Sequence, residues 1–144
     1  MKLESIPVHV TGSATGMAGA ILTEIAELLE QLADNNMSGA IDLRGLPMTE
    51  EDRIRLEDRL GRGEVSARLD VAGMSEVWET SYPGVWWIRH RGGDGQIAAE
   101  EIAVTQIPDI LVSPEEDVRA AAVRINAELY STETSASEEE ASHV

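Results

Sequence analysis

The chain of 144 residues contains no cysteine. That absence removes disulfides, thiolate metal ligation, iron–sulfur ligation by this chain and cysteine nucleophiles. It fits a reducing compartment. Histidine is scarce: His9, His90 and His143 are the only 3. No two of them share a metal-binding spacing, and His90 lies between Arg89 and Arg91, poor company for a cation. No metal and no cofactor are expected. No apolar run approaches the ~20 residues of a membrane span. Met1 to Val10 holds one lysine and no signal-peptide core, so a cytoplasmic protein without membrane attachment is expected. Basic residues are also few. Against 27 Asp+Glu stand 11 Lys+Arg, for a formal charge of −16. Glu133, Glu138, Glu139 and Glu140 lie after Tyr130, and without those 4 charges the rest still carries −12. Such a surface repels phosphate, which argues against nucleic acid and for a basic partner.

What is present reads as α+β. Residues 6–10 (IPVHV) read as a short strand, and 11–19 (TGSATGMAG) as a flexible loop. From Ala18 the apolar residues recur at helical steps: Ile21, Ile25, Leu28 and Leu32, with Leu22 and Leu29 widening the stripe. Asn35 and Asn36 end that helix. Ala40 to Leu43 is a short apolar segment. Thr49 reads as an N-cap with Asp52 at N3, opening a helix that stops at Gly61. Val65, Ala67, Leu69 and Val71 alternate as a strand does. Strands over 75–81, 85–91 and 96–105 follow, joined by turns at Pro83-Gly84 and at Gly92–Gly95.

Four consecutive strands on short turns predict a four-stranded antiparallel meander, with segments 6–10 and 40–43 available to extend it. Two helices should cover one face. A last helix opens at Ser113-Pro114-Glu115-Glu116, carries Val118, Ala121, Ala122, Ile125 and Leu129 on one side, and should pack at an edge or in the same layer. The domain map is thus 1–17, a strand and flexible loop; 18–131, a single α+β domain; and 132–144, a Ser/Thr/Glu-rich disordered tail.

Two arrangements invite a chemical reading. The loop 11–19 lies between a strand and a helix, as phosphate-binding glycine turns do, with Asp42 in the place of a ribose-binding acid. Its glycine spacing is off, and an antiparallel meander follows instead of βαβ units. A connector is the better reading, with a nucleotide-binding or enzymatic domain kept as the alternative. Glu64 and Glu79 can face each other on adjacent strands as an acid–base pair. No nucleophile with a base beside it accompanies them, so no enzyme is expected.

The aromatic distribution is the strongest signal. Of 5 aromatic residues, Trp78, Tyr82, Trp86 and Trp87 fall within 10 positions around Pro83-Gly84, and phenylalanine is absent. Neighbouring strand residues point to opposite faces, so Trp86 and Trp87 cannot both enter one core. Tryptophan and tyrosine dominate binding hot spots, which makes the hairpin a candidate partner-binding surface.

The blocks Ile41-Asp42-Leu43-Arg44-Gly45-Leu46-Pro47, Leu60-Gly61-Arg62-Gly63-Glu64-Val65 and Glu79-Thr80-Ser81-Tyr82-Pro83-Gly84-Val85-Trp86-Trp87 resemble the C-terminal conserved region of the HupH/HyaF hydrogenase-expression proteins. The match runs from about Ala18 through Ile107-Pro108-Asp109-Ile110-Leu111. The resemblance implies a chaperone-like accessory role in [NiFe] hydrogenase maturation. The partner would be a small or large subunit precursor, the small one favoured, together with other maturation factors. It implies no catalysis and no cofactor, and it sets no oligomeric state. Members of that family are often longer, with this region in their C-terminal half, so a stand-alone paralogue and an excised domain both fit. A purely structural module of an assembly complex is a further alternative. Within the matching blocks, the expected partner-binding residues are Tyr82, Pro83, Gly84, Trp86 and Trp87 at the turn. Trp78, Glu79 and Arg89 join them on the strands, and Gly61, Gly63 and Glu64 where the backbone enters the sheet.

Overall fold

The computed structural model describes residues 12–70 and 73–142, with side chains described as far as 133. The expected strand at 6–10, the residues His9, Val71 and His143, and the first residue of the glycine loop lie outside that range. The chain forms two compact units, the first ending at Pro108 and the second beginning at Asp109.

In the first unit, α1 (Met17–Asn35) is followed by β1 (Gly39–Asp42), α2 (Glu50–Leu60), β2 (Ser66–Asp70), β3 (Met74–Glu79), β4 (Val85–Arg91) and β5 (Ile97–Val104). The sheet has five strands in the order β1-β5-β4-β3-β2, one more than the expected meander. The extra strand is the apolar segment near 40–43. It pairs antiparallel with β5, placing Ile41 opposite Ile102. The hydrophobic alternation explains the choice of partner: Ile41 is 5% exposed and Ile102 fully buried, so the pairing adds an apolar residue to the core face.

The core lies between one face of the sheet and the two helices. Ala18, Ile21 and Ile25 of α1 and Leu56 and Leu60 of α2 pack with Trp78, Val85, Trp87, Ile102 and Val104. The stripe read from the sequence is the buried one. Asn36 closes α1 in the left-handed conformation (φ 55°), its N–H donating to the Leu32 carbonyl and the Met37 N–H to the Gln31 carbonyl. Thr49 caps α2 in the capping box that the sequence predicts with Asp52.

The edge strand β2 departs from its expected burial. Val65 is 46% exposed, and Ala67 and Leu69 are only half-buried. Ala67 pairs with Val77 and Ser66 with Trp78, so Ala67 and Leu69 lie on the face away from the helices. Alternation shows that two faces differ but not which one meets the core.

The second unit carries a short 3-10 turn, Asp109–Leu111, and α3 (Glu115–Ser142). Helix continues through 132–142, where composition predicts disorder. Ala, Glu and Ser in that stretch are compatible with helix once a preceding turn exists. The expected apolar side of α3 is not buried: Val118, Ile125 and Leu129 are all more than half exposed.

Candidate functional site

The hairpin β3–β4 is built around Tyr82-Pro83-Gly84-Val85. Val85 N–H donates to the Tyr82 carbonyl at 2.9 Å, and Gly84 has φ +93°. Positive φ at the third turn residue is the requirement of a type II turn, and it selects glycine there. A side chain at Gly84 would also press on Leu32 and Leu29 of α1. The turn is thus seated against the first helix.

From this turn the strand parity sorts the aromatics. Trp87 is fully buried on the helix face, where it pairs directly across from Trp78. The two indoles stack, with centroids 5.6 Å apart and planes 8° from parallel. Trp86 points to the opposite face, is 5% exposed, and donates its indole N–H to the Thr105 carbonyl at 3.1 Å. Tyr82 is 47% exposed. Of the expected aromatic contacts, Tyr82 alone stands out from the surface. Trp78 and Trp87 are core residues, and Trp87 cannot meet a partner without unfolding.

The segment leaving α2 completes this end of the sheet. Gly61 N–H caps the helix on the Glu57 carbonyl, and Gly61 has φ +65°. Ser81 N–H donates to the Leu60 carbonyl and Gly63 N–H to the Glu79 carbonyl, both at 2.8 Å. A Cβ on Gly63 would sit 2.6 Å from the Thr80 carbonyl oxygen, so only glycine permits this approach. Between these two glycines, the Arg62 guanidinium lies 3.9 Å from the Trp78 ring centroid. An exposed cation over a tryptophan face contributes about 0.5–1 kcal/mol. Arg62, Gly63, Glu64, Tyr82 and Pro83 are all exposed, on two segments joined by the Ser81 N–H to the Leu60 carbonyl, with Trp78 beneath Arg62. Glu64 and Glu79 make no side-chain hydrogen bond among the described residues, so nothing recruits them as an acid–base pair.

Behind the patch runs a buried ionic chain. Glu100, 1% exposed, shares the face of Ile102 and Val104 on β5. Its Oε2 accepts from Trp87 Nε1 at 2.8 Å and from Arg89 Nε at 2.7 Å, and its Oε1 accepts from Arg53 Nη1 of α2. Arg89 also reaches Glu57 at 3.5 Å. Arg53 and Glu57 are one turn apart on α2, so the alternation Arg53–Glu100–Arg89–Glu57 fixes that helix over the sheet. Burial pushes the Glu100 carboxyl up, but the donors from Trp87, Arg89 and Arg53 outweigh it and hold it below the usual range. Arg89 is thus engaged in holding α2 to the sheet, with its side chain 12% exposed. The sequence carried a readable signal for Glu100: a charge at a core-parity position of a strand requires a partner.

The glycine loop has a structural task as well. Thr15 N–H donates to Asp52 Oδ1 at 2.7 Å, and Thr15 Oγ1 to Asp52 Oδ2 at 2.6 Å. Met17 N–H donates to Thr15 Oγ1, and Thr49 N–H to Asp52 Oδ2. The buried Asp52 therefore ties the start of α1 to the start of α2. Burial raises its pKa, yet the hydrogen bonds from Thr15 and Thr49 prevail and lower it to about 2. A carboxylate ionised at neutral pH occupies the Thr15 N–H and would repel a phosphate there, which removes the support for a nucleotide site.

This clamp predicts an acid sensitivity. The folded-state pKa of Asp52 lies below its ordinary 3.8, so its contribution is complete above about pH 4 and is lost as pH falls toward 2. The shift corresponds to about 2 kcal/mol. Glu100, shifted in the same direction, adds to the loss. Urea midpoints measured from pH 6 to pH 2 should show a flatter decline for Asp52→Asn than for the parent. Parallel curves would refute the clamp.

Among the described residues there is no group of three His, Asp or Glu side chains placed to hold a metal ion. No helix among them is long and apolar enough to cross a membrane.

Comparison with known proteins gives a consistent neighbourhood. The model of the family described as HupH hydrogenase expression protein, C-terminal conserved region, matches residues 16–131. The chain is 28% identical over 110 residues to the hydrogenase expression/formation protein HoxQ of Azotobacter vinelandii, covering 75% of this chain and 39% of that protein. It is 27% identical over 140 residues to HupH of Rhizobium leguminosarum bv. viciae, covering 87% of this chain and 50% of that one. The chain thus spans half or less of the length of these relatives. A solved structure of the hydrogenase expression protein HupH from Thiobacillus denitrificans superposes with a TM-score of 0.79 at 39% identity. The match covers 83% of this chain and 99% of that one.

Proposed function

From the premise that this chain belongs to the HupH hydrogenase expression protein family, as its C-terminal conserved region, we propose a non-catalytic accessory role in [NiFe] hydrogenase maturation. The protein binds a hydrogenase subunit precursor during assembly, in the cytoplasm. The observation that carries this reading is the patch of exposed Tyr82, Pro83, Arg62 and Glu64 at one end of the sheet. The backbone that presents them is held by the Tyr82–Val85 turn and by the Gly63 N–H on the Glu79 carbonyl. Exposed tyrosine and arginine are residue types enriched in binding hot spots, and a backbone already held in place lowers the ordering cost of association.

The small-subunit precursor is the favoured partner. The family resemblance brings with it a basic twin-arginine export signal on that subunit, and the present chain carries −16. Complementary charge speeds encounter and excludes acidic competitors. The large-subunit precursor is the alternative partner. Binding would shield an immature apolar surface until the cofactor and the other subunit arrive.

Co-purification with tagged small- and large-subunit precursors tests both levels. The parent chain should be recovered with one precursor. The double variant Tyr82→Ala, Arg62→Ala should be recovered at least about ten-fold less, as expected for losing a hot-spot residue. Recovery with neither precursor refutes the chaperone reading. Undiminished recovery of the double variant refutes the patch alone.

A further inference from the structure

The block Ile41–Pro47 plays no part in the hairpin patch. It borders a cleft of about 640 Å³ at the other end of the sheet, roughly 20 Å away along β4. The cleft lies between the chain following β1, the first turn of α2, and the β4–β5 turn. Three arginines converge on it, Arg44, Arg53 and Arg91, against a single acid, Glu50. Arg53 is ion-paired with Glu100 and Arg91 with Glu76, so what the cleft concentrates is donors more than net positive charge. Its apolar lining open to solvent is Leu46 and Ile97, over the buried Leu43 and Met48.

The arginines retain donors. Arg53 uses Nη1 on Glu100. Arg91 uses Nε on Glu76 and Nη1 on the Gly95 carbonyl. The remaining nitrogens of both, and the whole guanidinium of exposed Arg44, have no acceptor among the described residues. Each guanidinium offers five N–H groups in a fixed fork that suits a carboxylate. The two engaged arginines are also held in place by their partners, so little further ordering is required.

We propose that this cleft binds a peptide segment in which a carboxylate sits beside aliphatic side chains. The carboxylate is taken by the free donors of Arg44, Arg53 and Arg91, and the aliphatic neighbours by Leu46 and Ile97. Apolar walls with a few convergent donors are the usual make-up of a specific site. Glu50 at the rim disfavours multiply charged anions. This assignment is independent of the hydrogenase reading and of the hairpin patch.

The test is an NMR titration of the full ¹⁵N-labelled chain. The probes are acetyl-Ala-Leu-Glu-Leu-Ala-amide, acetyl-Ala-Leu-Ala-Leu-Ala with a free C-terminal carboxylate, the same neutral peptide as its amide, and inorganic phosphate. A carboxylate peptide should shift the amides of residues 43–53 and 91–97. The first probe answering alone identifies a side-chain carboxylate; the second alone identifies a chain terminus. Arg44→Ala, which alters an exposed residue, should weaken that binding about ten-fold, the effect of one charge-assisted hydrogen bond. No shift in this region with either carboxylate peptide overturns the proposal. So does an equal response to the neutral amide, which would mean an apolar groove, or to phosphate, which would mean a small-anion site. Binding unchanged in Arg44→Ala also overturns it.

Discussion

Glu100→Ala should lower the unfolding free energy by about 3–5 kcal/mol. The substitution strips the shared acceptor from Arg53, Arg89 and the Trp87 indole together, leaving Arg89 only Glu57 at 3.5 Å. Arg89 is 12% exposed and Arg53 20%, so water relieves them only in part. An unpaired charge in such a place costs far more than the pair contributes. The comparison that isolates this cause is the triple variant Glu100→Leu, Arg53→Met, Arg89→Leu. It removes the three most buried members, leaving Glu57 34% exposed to water and the Trp87 indole N–H without its acceptor, and should be clearly more stable than Glu100→Ala, because no buried charge is stranded. Chemical denaturation of both variants decides the matter. A loss below 1 kcal/mol in Glu100→Ala would show that the carboxylate does not hold α2 to the sheet.

Trp87→Ala is the second large effect, about 3–5 kcal/mol. Trp87 is fully enclosed, stacks on Trp78 and satisfies Glu100. Its removal leaves a void that the paired strands cannot close and deprives a buried carboxylate of a donor. Tyr82→Ala should stay within about 0.5 kcal/mol of the parent, since Tyr82 is 47% exposed. The contrast matters for function. A variant lacking both Trp86 and Trp87 would lose partner binding by losing its fold, so it cannot test an anchor. The Tyr82 and Arg62 pair can. Equal destabilisation by Trp87→Ala and Tyr82→Ala would contradict the assignment of one to the core and the other to the surface.

Much of the architecture was legible because it rests on local periodicity. The stripe Ala18, Ile21, Ile25 recurs at helical steps, and those residues are the ones α1 buries. Thr49 and Asp52 meet within a single turn, so the capping box needs no tertiary information. Pro83-Gly84 dictates its turn by backbone preference alone. The pairing of β1 with β5 was not legible in the same way. It joins Ile41 to Ile102 across the whole meander, and nothing local selects that partner.

The candidate site divides along the same line. Alternation placed Trp86 and Trp87 on opposite faces, and the structure has them so. It could not say that both faces bury them, because burial depends on what packs above each strand. Glu100 was readable as a charge at a core position, but its partner Arg53 arrives from a helix 47 residues earlier. The same holds for Asp52, whose link to Thr15 spans 37 residues.

The sequence by itself determined a cysteine-free, acidic α+β chain with its aromatics gathered on one hairpin, because composition and short-range periodicity are properties of neighbours along the chain. Only the tertiary structure decided which of those aromatics reach the surface, which carboxylates become buried clamps, and where three arginines meet in an acidic molecule. Those outcomes depend on contacts between segments far apart in sequence. Charge placement and exposure are set when such segments pack, not when they are written.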